Sequence, residues 1–107
     1  VPFDLAWTFS GKPNGVLFRY VFARAVTFPV GMAGSQGVAE TAFGKETVLD
    51  LRRNGMVIGD VRFAANATVA TFTGGFETRF CIGDVLTVTG QSTNHPNTIA
   101  CTLVGVR

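Results

Sequence analysis

The chain has 107 residues, 47% of them hydrophobic and 15% charged, so it holds enough apolar material to offset the entropy of chain ordering and is not a disordered segment. A length near the commonest domain size implies one domain, residues 1–107, around one core. The formal charge of +2 comes from scattered Lys and Arg, with Arg52 and Arg53 the one adjacent pair, which excludes the clustered cations of a nucleic-acid surface.

The longest apolar runs fall far short of the roughly 20 residues that cross a bilayer, and no signal peptide is recognisable. A soluble domain with no membrane partner is expected. Val1 stands where an initiator Met would, so the chain is expected to be a processed product or part of something longer. Ten Phe against one Trp and one Tyr, with many Val and Thr, favour strands over helices. Thirteen Gly spread along the chain fit the frequent reversals of a short-stranded fold.

In chain order, Phe3 to Phe9 reads as a first strand and Ser10 to Gly15 as a turn-rich loop. Val16 to Thr27 is the strongest strand signal, with Phe18, Tyr20 and Phe22 on one face and Leu17, Arg19 and Val21 on the other. Apolar groups on both faces suit a central strand. Phe28 to Gly37, with three Gly and one Pro, reads as a long crossover loop. From Val38 to Arg53 a helix competes: Ala39, Glu40, Ala42, Glu46 and Leu49 favour it, and Asn54-Gly55 would cap it. Gly44 breaks that helix, however, and Leu49 and Leu51 alternate with Asp50 and Arg52. Asn-Gly between alternating runs is a strong hairpin signal, so Thr47 to Arg53 is expected to be a strand that turns at Asn54-Gly55 into Val57 to Ala64. A short helix remains open only at Val38 to Phe43.

Thr68 to Thr73 alternates again, Gly74-Gly75 reverses the chain, and Phe76 to Phe80 reads as a short strand. Gly83-Asp84 is a turn, Val85 to Thr89 a strand, Gln91 to Asn97 a polar loop, and Ile99 to Val106 the closing strand. Seven or eight short strands without a convincing helix predict an all-β fold, a two-layer antiparallel β-sandwich of jelly-roll type.

Groups able to carry chemistry are sparse. His95, in the Asn94-His95-Pro96 turn, is the single His, and no Ser or Cys stands beside it in a nucleophile motif. One His with the distant Cys81 and Cys101 does not make a zinc site, so no metal or other cofactor is expected. Asp50, Asp60, Asp84, Glu40, Glu46 and Glu77 could supply a glycosidase-type acid and base pair, but each alternates with apolar neighbours or sits beside a turn, which reads as surface. Gly11-Lys12-Pro13 lacks the remaining glycines and the helix of a phosphate loop. Asn66-Ala67-Thr68 matches a glycosylation acceptor, a pattern frequent by chance. No catalytic residue is assigned and no enzymatic role is expected.

Two weaker candidates remain. Trp7, Tyr20 and Phe28 could form an aromatic platform for a pyranose, against the alternative that all three pack in the core. Cys81 and Cys101 could be bridged, closing a loop of about twenty residues worth roughly 3 kcal/mol on a chain-entropy estimate, or could remain thiols.

The segments FSGKP, LFRYVFARAVTFPVGMAGSQGVAETA, VLDLRRNGMVIGDVRFAANATVATFT, FCIGDVLTVTGQST and IACTLVGVR together resemble a small domain that recurs in tail fibre and other virion surface proteins of bacteriophages and prophages. The resemblance covers nearly the whole chain. Its motifs are turn and strand residues, so it specifies a scaffold rather than a chemistry. Departures fall at Arg53, where Lys is usual before the Asn-Gly turn, at Asn66, where Gly is usual, and at Cys81 and Cys101, where small residues are usual. The paired arrival of two cysteines favours a disulfide, within the chain or between neighbouring subunits, and virions persist where disulfides survive.

What the resemblance implies is a non-enzymatic structural component of a virion, on a tail fibre, baseplate or capsid surface. Its partners would be other virion proteins and itself as a homo-oligomer, with a trimer favoured in a fibre, and a host cell-surface saccharide if it serves attachment. The alternatives are a free-standing carbohydrate-binding module and a small secreted enzyme inhibitor, for which Phe28 to Gly37 would be the protruding loop.

Overall fold

The computed structural model describes residues 1–91 and 95–107, so the expected polar loop Gln91 to Asn97 lies partly outside the described residues. Among the described residues ten strands form in chain order: β1 (Pro2–Gly11), β2 (Asn14–Val21), β3 (Val26–Phe28), β4 (Gln36–Ala39), β5 (Thr47–Arg53), β6 (Met56–Phe63), β7 (Thr71–Thr73), β8 (Thr78–Phe80), β9 (Val85–Gln91) and β10 (Asn97–Val106). A single turn of 3-10 helix, Val30–Met32, precedes β4.

The strands make two five-stranded antiparallel sheets. Sheet A runs β1-β10-β3-β8, with β4 paired to β10 alongside β3, and sheet B runs β2-β9-β5-β6-β7. The order is nested: β1 pairs with β10 and β2 with β9, and the chain crosses between the sheets at most steps, staying within one sheet from β3 to β4 and from β5 through β7. That winding is a jelly roll, the sandwich expected from the strand pattern.

Each strand owes its place to alternation. In β1, Leu5 and Trp7 turn inward while Asp4, Ala6 and Thr8 stay exposed, and in β10 Ile99, Cys101 and Leu103 are buried between partly exposed neighbours. Because side chains alternate with period two, a slip of one residue would turn all of these outward. β1 and β10 hold one register over ten residues, from Pro2 opposite Val106 to Gly11 opposite Asn97.

The abundance of Phe has a geometric use. Two sheets pack about 10 Å apart, and large flat side chains fill that gap. Phe22 stacks on Phe80 with centroids 4.5 Å apart, and Phe28 meets Phe80 edge-on at 5.7 Å. Trp7 of sheet A stacks on Phe18 of sheet B at 5.7 Å, and Phe43 packs against Phe63 at 5.6 Å.

Ten strands rather than seven or eight result from two corrections. The run Val16 to Thr27 is not one strand: it breaks after Val21, bends through 22–25 and resumes as β3 in the other sheet. Phe22 anchors the bend, its N–H donating to Asp84 O and its carbonyl accepting from Gly83. The supposed crossover loop Phe28 to Gly37 contains the 3-10 turn and the start of β4, and Phe28, Met32 and Ser35 are buried in it. It lies against the domain instead of protruding. Nor does Val38 to Phe43 form a helix: Val38 and Ala39 finish β4, and Phe43 is wholly buried.

The β5-β6 hairpin matches its sequence signal. Asn54 and Gly55 adopt φ of 49° and 87°, the left-handed pair that a tight two-residue turn requires. Two other glycines are needed for close approach. A Cβ at Gly90 would run into the Pro13 carbonyl, and one at Gly59 into the Thr73 carbonyl. Gly75, by contrast, has open space around it. Gly90→Ala is therefore expected to cost about 1–3 kcal/mol, the usual penalty for overpacking, while Gly75→Ala changes stability far less; urea unfolding of the two variants measures both.

Candidate functional site

The aromatic platform does not form. Trp7, 4% exposed, and Phe28, wholly buried, belong to the core, and Tyr20 is half-buried with its ring edge-on to Phe22 at 4.9 Å. Trp7 and Phe28 present no face to a sugar, because inward positions of β1 and β3 are needed to fill the space between the sheets. The indole Nε1–H of Trp7 is buried without a hydrogen-bond partner among the described residues.

The intrachain disulfide does not form either. Cys81 is an exposed thiol just after β8, and Cys101 is a buried thiol in the middle of β10. Register through β3 places Arg79 level with Thr27 and Val106, so Cys81 lies seven strand positions beyond Cys101. At about 3.3 Å per residue that is roughly 20 Å, against a limit of about 7 Å between bridged Cα atoms. Burial pushes the Cys101 thiol up to about 12, which keeps it protonated and inert. A thiol reagent is expected to modify one cysteine, Cys81, in the folded protein and the second only on denaturation; equal fast reaction of both would contradict this placement.

The carboxylates separate by role. Asp50 and Asp60 are cross-strand partners on the outer face of sheet B, a like-charge juxtaposition that is unfavourable by itself. Arginines resolve it. Arg62 Nε and Nη2 donate to the two Asp60 oxygens at 3.1 and 3.3 Å, its Nη1 lies 3.8 Å from Glu46, and Arg52 lies 3.5 Å from Asp50. The hydrogen bond from Arg62 to Asp60, followed by their charge attraction, raises the Arg62 pKa. Thr73 Oγ1 also donates to Asp60 at 2.7 Å. This is a network that ties β5, β6 and β7 together across an exposed face. Glu40 and Glu77 are exposed.

Asp84 is the structural carboxylate. Its Oδ2 accepts from the Cys81 N–H at 2.8 Å and its Oδ1 from Asn54 Nδ2 at 3.1 Å, and these two bonds, in that order, lower its pKa. Asn54 Oδ1 in turn accepts from Val85 N–H at 2.9 Å, so the β5-β6 turn is bolted to the turn before β9. A carboxylate held below its unfolded value contributes stability above that value and loses it as pH falls through the folded one. The melting-temperature gap between the wild type and Asp84→Asn is thus expected to be widest near neutral pH and to close as pH drops below about 4; a gap independent of pH would show that the charge is idle.

His95 is exposed, with Nδ1 2.9 Å from Pro96 O, Nε2 3.3 Å from Ala42 O and its ring stacked on Phe43 at 5.7 Å. These contacts hold the turn against the loop before β5. Among the described residues no group of three or more His, Cys, Asp or Glu is placed to hold a metal ion, and no helix is long and apolar enough to cross a membrane. Asn66 lies in an exposed turn with φ of 66°, in the left-handed region.

The surface itself is two-sided. Sheet B carries the arginine and carboxylate network, whereas the outer face of β1, β4 and β10 presents Ala6, Thr8, Ser10, Gln36, Val38, Thr98, Ala100, Thr102 and Val104, with Asp4 as its charged member. A shallow groove of about 230 Å³ on this face is lined by Ala6, Thr8, Gln36, Val38, Ala100 and Thr102 and reaches Trp7, Gly37 and Cys101 between the strands. Phe76 is the aromatic that does reach solvent, 82% exposed between Gly75 and Glu77. The Gly-Gly pair before it was the available signal, since a reversal there lifts the following residues off the core. The class the fold defines is a small jelly-roll module. No family model, no curated protein and no solved structure matches the chain.

Proposed function

We propose that this chain is a non-enzymatic structural module of a bacteriophage virion, carried on a tail fibre, baseplate or capsid surface, where it contacts other virion proteins and copies of itself. The observation that carries the reading is the nested strand order. A jelly roll is a winding much used for capsid and lectin domains, and it stands here beside a sequence resemblance to virion surface domains that spans nearly the whole chain. Fold by itself does not imply function. The local chemistry points the same way: on sheet B Asp50 is paired with Arg52, and Asp60 and Glu46 with Arg62, while the outer face of β1, β4 and β10 carries mostly small, uncharged side chains beside Asp4. Surfaces of that kind suit protein contact better than turnover of a small substrate.

Two rival readings lose their main support. A carbohydrate-binding module would need Trp7 and Phe28 at the surface, and an inhibitor would need Phe28 to Gly37 to protrude. The gene's surroundings provide the direct test. Capsid or tail genes on either side are expected, together with the chain's presence in purified particles by mass spectrometry. A neighbourhood of metabolic or secreted-hydrolase genes would overturn the virion assignment.

A further inference from the structure

Sheets end in edges, and the edges of this sandwich are not alike. β7 and β8 are three residues long, too short to template much pairing. β2 carries a bulge between Val16 and Phe18 and the exposed Arg19, both of them devices that discourage edge pairing. β1 has neither. It runs ten residues without a register shift, with no Pro after Pro2, and among the described residues β10 is its sole partner strand.

The phase of the β1-β10 ladder fixes which backbone groups are free. Val1 N donates to Arg107 O at 3.1 Å and Arg107 N–H to Val1 O at 2.7 Å, so the odd-numbered residues of β1 face β10. The far side of β10 agrees, because Thr98 O accepts from Glu40 N–H and Val104 N–H donates to Ser35 Oγ. The N–H and C=O groups of Asp4, Ala6, Thr8 and Ser10 therefore point outward along the open edge.

We infer that β1 is a self-association edge, pairing antiparallel with β1 of a second copy about a two-fold axis at Ala6. This register satisfies every constraint on the strand at once. Ala6 meets its own counterpart, and Asp4 meets Thr8 of the other copy instead of a second carboxylate. Pro2, which has no N–H to donate, falls at the end of the ladder opposite Ser10. On the inner face, Phe3 and Phe9, the two core residues of β1 left partly exposed, come opposite each other as a cross-strand aromatic pair. The result joins two copies of sheet A into one continuous sheet, an isologous contact of the commonest oligomer symmetry. It yields a dimer where the virion resemblance led to an expected trimer.

Sedimentation velocity over a dilution series tests this with three proteins. The wild type is expected to dimerise reversibly. Ala6→Pro removes an outward N–H that takes no part in the bond to β10, so the fold should persist by circular dichroism while the dimer dissociation constant rises at least about 100-fold. Ala6→Lys sets like charges face to face across the axis, and the weakened dimer should recover partly at high salt, where such repulsion is screened. Should Ala6→Pro fail to fold, the Lys variant and its salt response decide alone. A wild type that stays monomeric, or a dimer unmoved by a folded Ala6 variant, would overturn the inference. It stands on strand geometry, so non-viral gene neighbours would defeat the virion reading and leave the dimer to be judged by sedimentation.

Discussion

Everything in this fold depends on the two ends of the chain finding each other. β1 and β10 pair along their full length and enclose the nested pairs, β2 beside β9 and β5 beside that. Such a contact spans nearly the whole sequence, so the loop it closes is long and its entropic cost is met late. What holds it is the alternation of Phe3, Leu5, Trp7 and Phe9 against Ile99, Cys101 and Leu103 on one inner face. A one-residue slip would present those side chains to water.

The same pairing gives the two faces their different character. With the apolar positions of both sheets committed to the interior, function is left to outer faces, edges and turns. On sheet B, Arg52 and Arg62 offset the carboxylates Glu46, Asp50 and Asp60 and link β5 and β6, with Thr73 joining β7 to Asp60. Sheet A ends in a long regular strand whose outward peptide groups have no partner strand among the described residues.

Much of the architecture was legible in local residue patterns, and the parts that were not share a cause. Asn54-Gly55 announced its hairpin because the left-handed conformation of both residues is a local requirement, and β5, β6, β9 and β10 announced themselves by strict alternation. The bend at 22–25 carries no Gly or Pro and hides inside a strong strand pattern; only the bonds from Phe22 to Gly83 and Asp84, residues distant in sequence, make it turn. β4 was obscured in the opposite way, since its Gly37 looks like a loop residue until β10 lies beside it. Among the candidate site residues, Trp7 and Phe28 could not be placed from the sequence, because the two faces of a strand cannot be assigned to surface and core until the opposite sheet is known.

The sequence by itself determined an all-β sandwich, its principal turns and the poverty of its ionisable chemistry, because these follow from composition, side-chain period and backbone preference, all of which act between near neighbours. Tertiary structure alone decided that Cys81 and Cys101 stand far apart, that Asp50 and Asp60 face each other under two arginines, that the aromatic platform is core, and that β1 is the open edge. Those facts depend on which strands lie side by side, and strand order is a property of long-range pairing that no local pattern encodes.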